Sequence, residues 1–128
     1  GRLFELFADS QYDAENLVKT FMTSDLARAL DSEYNRMQWA GEEYLFEELL
    51  ATCNEKLTLK NENMSKEVLF WMGYIYRYWH FYTGEESIKI YKQAPFGTMN
   101  TNYLIFHTFD AEVAIDDLKE IYQQKAKS

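Results

Sequence analysis

The sequence is poor in the residues that punctuate or staple a fold. Its 128 residues hold one cysteine, one proline and five glycines. A lone Cys53 excludes an intramolecular disulfide, so the fold does not rest on an oxidising compartment, and the reading places the chain in the cytoplasm. With so little glycine and proline, hairpin turns are missing, and no strand-like alternation lies between turn signals. No apolar run is long enough to cross a bilayer. The longest, Glu67 to Tyr82, covers about 16 residues where roughly 20 are needed, and it carries Arg77 and His80. The first nine residues set acids inside a short apolar patch and have no cleavage-site pattern, so no export signal is read there.

Positive charge is also scarce. Thirteen Lys and Arg face 21 Asp and Glu, giving a net charge of −8. Nonspecific nucleic-acid binding needs cations that release counterions from phosphates, so a nucleic-acid role is disfavoured and a basic protein partner is favoured. The two histidines, His80 and His107, fall in no Glu-x-x-His or His-x-x-x-His spacing, which argues against a metal site. Gly84 and Gly97 stand alone, so no phosphate-cradling loop is present and no cofactor is expected. Cys53 falls on an apolar helix face and reads as a buried, inert thiol.

What the sequence does have is aromatic residues, 17% of the chain, beside an ordinary 27% of charged ones. They concentrate in EVLFWMGYIYRYWHFY, residues 67–82, where only Glu67, Gly73, Arg77 and His80 are not aliphatic, aromatic or Met. A surface helix shows an apolar stripe of about 100°. Here the apolar positions run right round, so the helix should be covered on most sides. The expected fold is all-α, a compact bundle of about five to seven helices built around Glu67–Tyr82.

The remaining elements follow from local signals. Leu3 to Ala8 reads as a short helix or a frayed start. Ala14, Leu17, Val18, Phe21 and Met22 keep helical spacing behind Asp13 as N-cap. Thr23 or Ser24 caps a short helix with Leu26, Ala27 and Leu30, and Asp31 to Ala40 reads as a loop or a helical turn. Gly41 opens a further helix, with Glu42 and Glu43 in its first turn and Glu47 and Glu48 on its polar side. Asn54 to Asn63 is the most polar stretch and reads as the main loop. It joins an N-terminal helical part, 1–55, to a C-terminal part, 64–128, within one domain over 1–128. Ser65 and Gly84 bound the central helix, Ala94-Pro95 ends the next, and further helices span 98–107 and the residues after Asp110.

Two groups of side chains are candidates for function. Arg77 and His80, at i and i+3, share a helix face. Helical nucleases of the higher eukaryote and prokaryote nucleotide-binding superfamily carry an Arg and a His several residues apart on one helix. Here only Tyr78 and Trp79 intervene, so an arginine paired with an acid among aromatic rings is the preferred reading. His107 reads as a helix-end histidine bonded to a nearby carbonyl. Tyr74, Tyr76, Tyr78 and Tyr82 each need a hydroxyl partner where buried, so some should reach the surface or line a groove.

Thr83-Gly84-Glu85, Ile90-Tyr91, Tyr103, His107-Thr108 and Ile115-Asp116-Asp117-Leu118 follow one another within residues 66–122. In that order and spacing the second half resembles a family of short, all-helical bacterial proteins of unknown function encoded beside ADP-ribosyltransferase-like toxins. The chain departs from that pattern at Ala94-Pro95 and Phe109-Asp110, where glycines are expected. The resemblance implies a helical, antitoxin-like partner and supplies no catalytic residue.

The leading expectation is therefore a non-enzymatic protein-interaction module. It would bind a basic protein through Tyr76, Arg77, His80 and the acids Glu42, Glu43, Glu47 and Glu48, with a homodimer as a further option. The alternative is a small-molecule binder or enzyme whose pocket gathers Tyr74, Tyr78, Arg77, His80 and His107; it requires the three basic side chains to meet at one cavity.

Overall fold

A computed structural model describes residues 2–31, 41–60 and 64–127. The chain is all-α. Eight α-helices lie among the described residues: α1 (Arg2–Asp9), α2 (Ala14–Met22), α3 (Asp25–Asp31), α4 (Glu42–Cys53), α5 (Lys66–Thr83), α6 (Ser87–Gln93), α7 (Phe96–Phe106) and α8 (Ala111–Lys127). That is one more than the upper expectation, because Arg2–Asp9 is a full helix that buries Leu3, Phe4 and Phe7 rather than a frayed start. No described helix is long and apolar enough to cross a membrane.

Local chemistry sets most boundaries. The Asp13 carboxylate accepts from the Asn16 backbone N–H at 3.0 Å, satisfying one of the orphan donors at the start of α2. Ser24 Oγ does the same for Ala27 N at 3.1 Å. Helix α5 ends on Gly84, whose φ of 77° is the left-handed conformation that an L side chain resists, and whose N–H donates to His80 O. Helix α6 stops before Pro95, as the proline requires.

The stretch 31–40 that reads as loop or turn lies outside the described residues except for Asp31, which is the last residue of α3. The polar stretch 54–63 is more structured, where described, than its composition suggests. Asn54–Lys56 forms a 3₁₀ turn. Just beyond it, Asp13 N donates to Thr58 O at 2.7 Å and Lys60 N to Gln11 O at 3.1 Å, and Tyr12 and Leu59 form an isolated antiparallel bridge. Thr58 N also donates to Asn16 Oδ1. This clip ties the segment after α4 back to the α1–α2 connection.

Helix α5 packs against α1, α6, α7 and α8, and most extensively against α1. Leu69, Met72, Ile75 and Trp79 are fully buried along it, in one core cluster with Phe7 of α1, Leu17 and Val18 of α2, and Ile115 and Leu118 of α8. Each such side chain contributes roughly 1.5–3 kcal/mol by leaving water. The jacket is nevertheless incomplete. Phe70, Tyr74, Phe81 and Tyr82 remain exposed, so the all-round apolar pattern does not mean all-round burial.

Candidate functional site

Arg77 and His80 do converge, and the group that gathers them is Asp31. Its side chain is only 5% exposed. Arg77 Nη1 donates to Asp31 Oδ1 at 3.0 Å, and Arg77 Nη2 donates to Leu30 O at 2.7 Å. The same carboxylate accepts from Ser87 N at 2.8 Å and Ser87 Oγ at 3.0 Å, which fastens the start of α6 to the end of α3. His80 Nδ1 stands 3.6 Å from Asp31 Oδ1 and 2.8 Å from Glu85 O. A carbonyl only accepts, so this nitrogen carries the proton. The Arg77 guanidinium also lies over the Phe81 ring, 4.9 Å from its centroid.

A second acid organises the opposite side of the α5–α6 turn. Glu85 accepts from Trp79 Nε1 at 3.0 Å, from Gln93 Nε2 at 2.6 Å and from Lys119 Nζ of α8. Burial pushes the Glu85 carboxyl up, but the hydrogen bonds from Lys119, Trp79, Gln93 and Thr83 outweigh it and hold the group at about 2. Lys119 in turn lies over the Trp79 ring, 5.6 Å from the centroid. Asp31 and Glu85 together lock the turn that follows the central helix.

Beside the Asp31 cluster, α1 to α6 border an open cavity of about 510 Å³. Arg77 lines it with Phe4, Phe21, Met22 and Leu45, and Arg2 and Glu42 stand 4.0 Å apart among its lining residues. His80, His107, Tyr74 and Tyr78 do not line it, so the three basic side chains do not meet at one cavity. His107 sits at the end of α7, with Nδ1 donating to Tyr103 O at 2.8 Å and its ring stacked on Tyr103 at 4.5 Å.

The tyrosines divide by helix face. Tyr74, Tyr78 and Tyr82 recur every fourth residue and form a ladder of rings with centroid spacings of 6.0 and 6.4 Å. Tyr78 donates to Glu112 Oε1 at 3.0 Å and Tyr82 to Asp116 Oδ1 at 3.2 Å, so two acids of α8 border the ladder. The hydrogen bond to Glu112 raises the Tyr78 hydroxyl above its usual range, and the charge of Asp116 raises that of Tyr82. Phe81, 72% exposed, and Phe70 continue this face.

Tyr76 is on the opposite side. It is 3% exposed, and its hydroxyl donates to Ala94 O at 2.6 Å. It is therefore a packing residue with its hydroxyl spent and almost no outer surface, contrary to its place among the expected contacts. Arg77 and His80 are both held by internal bonds, Arg77 through two of its five N–H groups. Glu43 and Glu47 face solvent on α4, while Glu42 and Glu48 are half-buried. The residues that sequence reasoning missed are Asp31, Glu85, Glu112 and Asp116. The i, i+4, i+8 spacing of Tyr74, Tyr78 and Tyr82 was the available signal for the exposed face.

Comparison with the profiles of known protein families, with curated proteins and with solved structures finds no match to this chain.

Proposed function

We propose that the chain is a non-enzymatic interaction module that docks a basic protein on the aromatic side of α5. One observation carries this reading. Phe70, Tyr74, Phe81 and Tyr82 stay exposed on a helix whose other side is the core, and Glu112 and Asp116 stand beside them. Tyrosine and its neighbours supply large contact area at small entropic cost, and such residues dominate interface energies. Acids at the border of the patch speed encounter with a cationic surface and disfavour acidic ones. The net charge of −8 acts in the same direction.

The resemblance of residues 66–122 to proteins encoded beside toxins supports a concrete form of the reading. An antitoxin-like chain would cover the basic substrate cleft of its toxin and need no catalytic group. In this form Tyr76 drops out of the contact set, and Arg77 and His80 serve the frame that holds α5 in place. Tyr74, Phe81 and the two α8 acids replace them.

The test is a capture experiment in the native cell extract at moderate salt, with the tagged chain and its Tyr74→Ala/Phe81→Ala variant compared. The reading expects one basic protein held in stoichiometric amount by the parent chain and lost by the variant, while circular dichroism and thermal unfolding stay unchanged. A partner held equally by both chains would move the interface elsewhere. Absence of any basic partner would reject the reading.

A further inference from the structure

The cavity beside Asp31 differs from the rest of the surface in charge. Among the described residues, two arginines, Arg2 and Arg77, and one acid, Glu42, line it, in a chain whose net charge is −8. Arg2, well exposed, and Glu42, half-buried, face each other at 4.0 Å and largely offset one another. Arg77 is the positive group that remains. Its guanidinium is held from behind by Asp31 and Leu30 O, bonds that use two of its five N–H groups. The other three make no hydrogen bond among the described residues. A guanidinium does not give up its proton, so it presents a fixed cation with donors to spare.

Most of the remaining described lining is apolar, and the Ser87 hydroxyl that also borders it is spent on Asp31. Phe4, Phe21, Met22 and Leu45 form the walls, and Tyr76 contributes its ring because its hydroxyl is spent on Ala94 O. A volume of about 510 Å³ lies inside the range of small-molecule sites, which combine apolar walls with a few fixed polar groups. One guanidinium that already shares its charge with Asp31 suits a singly charged head group better than a dianionic phosphate.

We infer that this cavity binds a monocarboxylic acid with an apolar body. The body lies among Phe4, Phe21, Met22 and Leu45, and the carboxylate accepts from the Arg77 guanidinium. Phe81 borders this cavity as well as the aromatic face of α5, but the inference does not depend on the interaction reading.

Isothermal titration of the full chain with sodium dodecanoate, kept below its micelle concentration, tests the inference against 1-dodecanol as the neutral counterpart. Saturable binding of dodecanoate is expected, with dodecanol weaker by about tenfold or more. Arg77→Met should weaken dodecanoate by a similar factor and leave dodecanol unchanged. Because Arg77 also holds Asp31, that variant is first checked for fold by circular dichroism. Leu45→Trp, which fills the cavity from α4 without touching the Asp31 cluster, provides the second arm and should weaken both ligands by about tenfold. No saturable binding of dodecanoate, equal affinity for the acid and the alcohol, or parent-like binding by a folded Leu45→Trp would each overturn the inference.

Discussion

Arg77 and Asp31 lie 46 positions apart in the chain and meet at 3.0 Å, where the end of α3 rests against α5. Because Ser87 also donates twice to Asp31, one buried carboxylate ties together three helices, α3, α5 and α6. Removing one partner of a buried pair is costly, since the other is left without its counter-charge. Arg77 keeps about a third of its side chain in water, which softens that penalty. Asp31→Ala should therefore lower stability by about 2–3 kcal/mol, below the range for a fully enclosed pair. Urea unfolding measures this, with Asp25→Ala on the exposed side of α3 as the control that should change little. A loss no larger than the control's would mean that Asp31 does not hold the three helices.

Glu85 makes stability depend on acid. In the unfolded chain its carboxyl takes up a proton near 4.5, and in the folded chain only near 2. Between those values the unfolded state binds more protons, so stability falls as the pH drops through that window and is fully present above it. By linkage this one group is worth about 3 kcal/mol. Glu85→Gln removes the contribution, so the gap between variant and parent should be widest at neutral pH and shrink toward pH 2. Unfolding curves at pH 7, 4.5 and 3, followed by tryptophan fluorescence, report it. A gap that stays constant with pH would assign Glu85 a neutral hydrogen-bonding role only.

The helix boundaries were legible because their causes are local. Asp13, Ser24, Gly84 and Pro95 each act within a few residues, so a reader of the sequence sees both the signal and the element it bounds. The polar clusters were not legible. Asp31 looks like the first residue of a polar stretch, and its partners come 46 and 56 positions later. Glu85 receives Lys119 from 34 positions away. The central run exposes a different limit. An apolar count treats Phe70 and Phe81 like Leu69 and Met72, yet the first two lie in solvent and the last two in the core. Helical phase was the better guide. Tyr76 stands two positions from Tyr74 and Tyr78, which turns it to the far side of the helix and into the core.

The acids of α8 should act on the rate of docking rather than on its persistence. Glu112 and Asp116 stand at the edge of the tyrosine ladder, each accepting from one tyrosine hydroxyl. Exposed charges at an interface rim steer encounter and are screened by salt, whereas aromatic anchors govern how long the complex lasts. On the interaction reading, Glu112→Gln/Asp116→Asn should slow association with the basic partner by about tenfold at low salt and flatten the dependence of that rate on ionic strength. Dissociation should be nearly unchanged. Phe81→Ala should do the reverse, raising the dissociation rate with little effect on association. Stopped-flow or surface-binding kinetics at two salt concentrations separate the two effects. The free protein supplies an internal control. Loss of the Glu112 acceptor and the Asp116 charge should bring the Tyr78 and Tyr82 hydroxyls back down toward 10 in an alkaline absorbance titration, showing that the substitutions reached the ladder. If the titration shifts and association does not slow, the α8 acids lie outside the docking surface, and the aromatic face must meet its partner by apolar contact alone.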